Sequence, residues 1–292
     1  MTVGASSIYT RYIGTHPYAF QVTAFDKAVI ENLGSIYSHD ILSEIGDADF
    51  HVGLARARIA GIPQPSRCLL HLDGFKPFTK APLAHAHAML EWGMNWCISE
   101  YASDRLILHA ATVARKGFAT LISGNSGSGK STLACALMLE GYRLLTDELS
   151  LINLNSSTVT PFVRPVSLKE KSIEVIKNRY VNSEFGVSAF ATHKGTVSHC
   201  KPSEKSWQTK LDDVHIKHII FPKYSANCKE LSVTEIAPLD VFSLLNAQSF
   251  NINILGVEAI RVLQNLSESC AAYCIEYNDL SSAVDFIDGL YE

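Results

Sequence analysis

Phe118-Ala-Thr-Leu-Ile-Ser-Gly124-Asn125-Ser126-Gly127-Ser128-Gly129-Lys130-Ser131-Thr132-Leu-Ala-Cys-Ala-Leu-Met-Leu-Glu140-Gly141-Tyr-Arg-Leu-Leu-Thr-Asp147-Glu148 is the stretch that decides the fold. An apolar run, Phe118–Ile122, leads into Gly124–Ser131, which fits G-x-x-x-x-G-K-[ST]. A helical stretch from about Ser131 to Glu140 follows and stops at Gly141. Each part has a physical reason. The glycines let the backbone curl so that successive N–H groups point into one concavity. The helix that begins there adds the positive end of its dipole, so the pocket attracts phosphate. Lys130 supplies a point charge for the β and γ phosphates of a nucleoside triphosphate, and Ser131 a hydroxyl for Mg²⁺. Gly124, Asn125, Ser126, Gly127, Ser128, Gly129, Lys130, Ser131 and Thr132 are therefore the candidate nucleotide-binding residues.

Asp147-Glu148 ends the next predicted strand, Tyr142–Thr146. Three readings compete. In an ATPase, Asp147 would hold Mg²⁺ and Glu148 would activate water. In a kinase, Asp147 would take the proton of a substrate hydroxyl while Glu148 holds Mg²⁺. The pair could also be a solvated acidic turn. The spacing favours the kinase, because motor and transporter ATPases usually insert further elements between the phosphate loop and the acidic strand.

Outward from this stretch, Leu106–Ala114 and Phe118–Ser123 read as strands joined by a hairpin at Lys116-Gly117. Leu149–Leu154 and Thr158–Val163 read as further strands, and Ser167 as the cap of a helix over Leu168–Lys177. Val181–Lys210 is polar and reads as a long loop or lid. Its Lys194, His199, Lys201 and Lys205 would suit closure over phosphates, or simply solvation. Beyond it come strands 214–221 and 230–236, helices 238–247 and 256–268, strand 271–276 and helix 281–291. Toward the N-terminus, Ile8–Ile13, Tyr18–Phe25, Asp49–Arg58 and Arg67–Leu72 alternate like strands. Gly61–Pro65 reads as a loop and residues 84–99 as a helix. The expected domains are residues 1–102, α+β and without recognisable chemistry, and residues 103–292, an α/β unit with a mixed sheet around the phosphate loop.

The bulk properties narrow the function classes. The chain has 292 residues, 47% hydrophobic and 18% charged, enough to bury a sizeable core. The net charge of -4, without a block of Lys or Arg, argues against nucleic acid as a partner. The N-terminus, MTVGASSIYTRYIG, lacks the pattern of a signal peptide, and no run of about 18 apolar residues suggests a membrane span. Seven cysteines without framework spacing suit reduced thiols in a cytoplasm. Cys270 and Cys274, His85 and His87, and His215 and His218 each lack a third ligand at metal-site spacing.

Leu108-His109-Ala-Ala, the hairpin, Gly-Asn-Ser-Gly-Ser-Gly-Lys-Ser and Gly141-Tyr-Arg-Leu-Leu-Thr-Asp-Glu148 together resemble the catalytic domain of HPr kinase/phosphorylase, and more closely the HPr-kinase-related proteins. The resemblance covers residues 105–178 well and the rest of the C-terminal half loosely. It implies a core of the HPr-kinase and phosphoenolpyruvate-carboxykinase type, with ATP and Mg²⁺ as cofactors. It implies transfer of the γ-phosphoryl group to a serine of a small protein or peptide, with a small-molecule hydroxyl as the alternative acceptor. A partner-bound ATPase switch is the alternative of a different class. The resemblance places Asp147 as general base, His109 beside it, and Glu148 as a metal ligand where the family has a second Asp. The family's Glu-x-Arg-Gly signature is matched here only by Phe162-Val-Arg164-Pro, so Arg164 remains and the Glu does not. The regulatory kinases are hexamers, which leaves homo-oligomerisation open.

Overall fold

A computed structural model describes residues 7–42 and 48–292. Part of the N-terminal stretch weighed above as a leader, residues 1–6, lies outside the described residues. The described chain is a mixed α/β structure with several sheets, divided into two compact units. The first runs to Ile98 and also takes in Leu168–Ile173 and Glu184–Lys201; the second holds Ser99–Ser167, Glu174–Ser183 and Pro202–Glu292. The chain thus leaves and re-enters the first unit, whereas the sequence suggested a single boundary near residue 102.

In the first unit, β1 (Tyr9–Thr15), β2 (Tyr18–Ala24), β3 (Ile41–Leu42), β4 (Phe50–Ile59), β5 (Ile62–Leu72) and β6 (Ala81–Pro82) form a sheet in the order β3-β1-β2-β4-β5-β6. The turn between β4 and β5 is Ala60-Gly61, so most of the expected loop Gly61–Pro65 is strand. Helix α1 (Lys27–Ile36) was not anticipated from sequence. Its signals are Asp26, which caps it by accepting from Ala28 N, and the buried spacing of Val29, Ile30, Leu33 and Ile36. Helix α2 (Ala86–Tyr101) matches the expected 84–99 helix. It buries Glu91, which accepts from Tyr37 Oη at 2.9 Å, and His87, whose ring meets that of His199 edge to face at 5.0 Å.

The second unit carries a nine-stranded sheet. Its strands are β7 (Arg105–Leu108), β8 (Ala110–Arg115), β9 (Phe118–Ser123), β10 (Arg143–Thr146), β11 (Ser150–Asn153), β12 (Thr158–Thr160), β16 (Val214–Tyr224), β17 (Ser232–Glu235) and β18 (Ala271–Tyr277). The order is β10-β8-β9-β16-β12-β11-β7, with β18 beside β16 and β17 beside β18. Residues alternate across it. Ala119 and Leu121 of β9 face a core built with Val241 and Leu245 of α6 (Pro238–Asn246) and Val262, Leu263 and Leu266 of α8 (Val257–Ser269). Between these helices lies the short α7 (Ile252–Leu255). Against β8, β9 and β10 packs α3 (Lys130–Leu139), which also meets α9 (Leu280–Gly289).

Two further expectations are corrected. The stretch 166–169 is strand β13 (Val166–Lys169), and the helix, α4 (Lys171–Arg179), starts only after it. Ser167 therefore caps nothing. The expected long loop Val181–Lys210 holds β14 (Ala189–Thr192), β15 (Gly195–Cys200) and α5 (Glu204–Gln208), with β13, β15 and β14 forming a three-stranded sheet. Its basic residues are engaged. Lys201 Nζ lies 3.1 Å from Glu184, Lys194 Nζ lies over the Trp92 ring, Lys205 Nζ donates to Gly141 O at 2.9 Å, and His199 is buried.

Candidate nucleotide and phosphoryl-transfer site

The Gly124–Gly129 loop connects β9 to α3. Three of its glycines have φ in the left-handed region: Gly124 at 143°, Gly127 at 83° and Gly129 at 102°. Gly129 is the N-cap of α3, and a Cβ there would lie 2.8 Å from Tyr277 Oη, so both conformation and space call for glycine. Ala, Leu and Met dominate the helix that follows and favour it intrinsically. It ends in a Schellman motif, as expected for Gly141: Tyr142 N donates to Leu137 O at 3.0 Å, and Gly141 N, at φ 92°, donates to Met138 O at 3.1 Å. Lys130 is buried, and its ammonium donates to Gly124 O at 2.7 Å and Asn125 O at 3.1 Å. The charge is thus held over the mouth of the loop. Asn125, Ser126 and Gly127 are exposed, while Ser128, Ser131 and Thr132 are half-buried.

The acidic pair follows β10. A register shift between Leu144 and Thr146 in the β10–β8 pairing marks a bulge, a device that re-aims side chains at a strand end. Asp147 is buried. Its Oδ1 accepts from Ser131 Oγ at 2.9 Å and its Oδ2 from Ser167 N at 2.9 Å. Both oxygens are therefore held by donors, one of them from the first turn of α3. Glu148 sits at φ 69°, a left-handed conformation that a glutamate adopts only at a cost. The turn is closed by Leu149 N to Asp147 O at 3.0 Å and by Thr146 Oγ1 to Leu149 O at 2.7 Å.

The single strand expected over Leu106–Ala114 is broken at His109. β7 pairs with β11, while β8 pairs with β9 and β10. The break is filled by the 248–250 segment: His109 N donates to Gln248 O at 2.8 Å, Leu108 bridges Ser249, and the Phe250 ring lies 5.8 Å from the imidazole. Because Ala110 pairs with Ser123 and Leu108 with Ser150, His109 lies level with Gly124 and with the Asp147–Leu149 turn. Gln248 reaches Asn125 Oδ1 at 3.4 Å. Arg164 is buried with its guanidinium over the Phe162 ring, and Phe162 N donates to Leu145 O at 2.8 Å, which anchors this segment beside β10.

The topology sets these parts along one sheet edge. β10 and β9 run in the same direction, each antiparallel to β8, and β9, β16 and β18 are mutually parallel. Their C-terminal ends lie in the order Asp147, Gly124, Tyr224, Tyr277 across the edge. In α/β sheets, ligands bind outside the carboxyl ends of parallel strands. Sequence reasoning missed three participants. The Ser167 amide, Gln248 and the Tyr224–Tyr277 pair come from distant segments and carry no local motif.

No His, Cys, Asp or Glu group of three or more that could hold a metal ion is present among the described residues. Mg²⁺ needs no such cage, since it usually keeps waters and takes one or two carboxylates plus substrate phosphates. Ser131, in the first turn of α3, and Glu148, after β10, carry oxygen donors of that kind, so the residues present fit it. The cysteine and histidine pairs do not gather ligands. Cys270 is buried with Sγ on Ile216 O, His85 meets Phe190 O at 2.7 Å, and His218 is buried while His215 is exposed. Burial, with Lys217 adding to it, lowers the His218 pKa to about 4. No helix among the described residues is long and apolar enough to cross a membrane.

Comparison with known proteins gives partial matches. HPr kinase/phosphorylases of Streptococcus thermophilus strains ATCC BAA-491 / LMD-9, CNRZ 1066 and ATCC BAA-250 / LMG 18311 are each 36% identical to this chain over 59 residues. That match takes in 20% of this chain and 19% of each relative, so the chain spans about a fifth of the length of the curated relatives it matches. Over that stretch it is HPr-kinase-like in sequence. The HPr(Ser) kinase/phosphatase from Coxiella burnetii superposes on 63% of this chain and 97% of its own, at 13% identity and a TM-score of 0.28, too loosely to position residues. No family model matches the chain.

Proposed function

We propose that this chain is an ATP-dependent kinase that transfers the γ-phosphoryl group to a hydroxyl, with the phosphate loop in the second unit as its centre. The observation that carries the reading is Asp147, a buried carboxylate gripped by Ser131 Oγ and Ser167 N at the end of the strand beside the loop. Such a carboxylate is positioned rather than merely solvated.

The chemistry follows from the residues. The loop amides and the α3 N-terminus orient the phosphate chain, and Lys130 turns its ammonium from the loop carbonyls to the β and γ phosphates. Mg²⁺ supplies neutralisation of the phosphate charge when bound. Asp147 takes the proton of the acceptor hydroxyl as that oxygen bonds to the γ-phosphorus and the bond to the ADP oxygen breaks. His109, level with the acidic turn, tunes the base. The acceptor is a serine of a small protein or peptide, a reading supported by the similarity to HPr kinase/phosphorylases. An enzyme consuming ATP in this way works in the cytoplasm.

The Ser131–Asp147 hydrogen bond also favours a second reading, in which Asp147 belongs to the metal side and Glu148 activates water, as in an ATPase switch. The experiment is incubation with ATP and Mg²⁺ beside small proteins and peptides encoded near this gene. A phosphate gained on one of them, identified by mass and absent with Asp147→Asn, supports the kinase. Free phosphate alone, equally released by the variant, contradicts it.

A further inference from the structure

The part of the site beyond the phosphate loop is occupied by two tyrosines at the ends of neighbouring parallel strands. Tyr224 closes β16 and Tyr277 closes β18, and they are aligned in the β16–β18 register. Tyr277 is buried and pushes its hydroxyl against Gly129. Tyr224 N donates to Ser128 O at 3.1 Å, and its Cβ lies 3.7 Å from the place a Gly129 Cβ would take. The two rings meet edge to face at 6.1 Å. Tyr224 is thus tied by its backbone to the phosphate loop and steadied by a buried neighbour, yet the residue is 56% exposed.

Direction along the edge says what such a ring would meet. Asp147, where the γ-phosphoryl group must go, lies on the β10 side of the loop, and Tyr224 on the β16 side. A triphosphate with its γ end toward Asp147 runs its α-phosphate and nucleoside toward Tyr224. We infer that Tyr224 is the stacking platform for the nucleotide base. This inference rests on the nucleotide-binding reading above. Stacking on an aromatic face tolerates any purine, because every base has a π-face. The site would therefore take ATP and GTP with similar affinity. Tyr277 is a positioning residue that holds the platform.

The test is calorimetric binding of Mg²⁺-ATP, Mg²⁺-GTP and inorganic tripolyphosphate to the full chain. The variants are Tyr224→Ala, Tyr224→Phe and Lys130→Ala. Tyr224→Ala is expected to weaken both nucleotides on the order of tenfold, as for loss of one base stack, and to leave tripolyphosphate unchanged. Tyr224→Phe should restore nucleotide affinity. Equal weakening of all three ligands, or of none, overturns the stacking role. ATP affinity undiminished by Lys130→Ala would instead sink the nucleotide reading itself. Tyr224→Trp gives an independent readout: its fluorescence should quench on adding ATP and not on adding tripolyphosphate, and quenching by neither contradicts the proposal.

Discussion

Ser131 Oγ donates to Asp147 Oδ1 over 2.9 Å, tying the first turn of α3 to the turn that follows β10. The bond couples the phosphate loop to the acidic pair, so substitution of Asp147 separates binding from chemistry. Asp147→Asn keeps the shape and an oxygen for Ser131 but loses the carboxylate proposed as the base. ATP affinity should stay within a few-fold of the parent, while phosphoryl transfer falls on the order of a hundredfold or more. Calorimetry and acceptor labelling, run on the same preparations, check both halves.

Glu148, proposed as a metal ligand, offers a contrast, since its φ of 69° carries a conformational cost. Glu148→Gly removes that strain. The variant should be as stable as the parent or more so, by up to about 1 kcal/mol, and should transfer phosphate more slowly at limiting Mg²⁺. Urea midpoints and a Mg²⁺ titration of the rate measure the two effects.

Gly129→Ala should fail for two separable reasons. Its φ of 102° disfavours any side chain, and the new Cβ would meet Tyr277 Oη at 2.8 Å. The conformational part alone is on the order of 1–2 kcal/mol. Combining it with Tyr277→Phe relieves only the clash, so the double variant should be less destabilised than the two single losses added together. Equal additivity in denaturation would show that the hydroxyl is not in the way.

Asn251 is buried and holds the entry to β7. Its Oδ1 accepts from Ile107 N at 3.0 Å, and its amide donates to Arg105 O at 2.8 Å and Ala102 O at 3.3 Å. Asn251→Ala would strand these buried backbone groups, with an expected cost of about 1–3 kcal/mol or more. Thermal unfolding gives the number.

His218 sets a pH dependence. With its pKa lowered to about 4 from the ordinary 6.5, the folded protein binds fewer protons than the unfolded chain between those values. Stability should therefore fall as pH drops through that window, by on the order of 3 kcal/mol at most for this one group. His218→Gln should flatten the slope between pH 6.5 and 4 relative to the parent. An unchanged slope in urea denaturation would contradict the burial argument.

How much could be read in advance depended on how local the cause is. The strand-loop-helix at Phe118–Leu139, the Schellman end at Gly141 and the hairpin turn at Lys116-Gly117 are written in neighbouring residues, and they form where expected. Segments whose structure comes from distant partners carry no such local signal. β14 and β15 form a hairpin at His193-Lys194, but their polar residues read as loop, and the further partner of β15, β13, is set by tertiary contact. β7 and β8 read as one strand because nothing near His109 announces that residues 248–250 will pair at the break. The signals of α1, the Asp26 cap and the spacing of Val29, Ile30, Leu33 and Ile36, are local. In the candidate site, Lys130, Ser131 and Asp147 stand out by motif, whereas the bond from the Ser167 amide to Asp147 spans 20 residues and leaves no local signal.

The most direct test follows the γ-phosphate of labelled ATP in the presence of Mg²⁺ and a hydroxyl acceptor, for the parent, Asp147→Asn and Glu148→Gln. The account predicts label on the acceptor with the parent, nearly abolished by Asp147→Asn and reduced less by Glu148→Gln. Label appearing only as free phosphate, with no acceptor labelled and release abolished by Glu148→Gln, would contradict it and make the chain an ATPase.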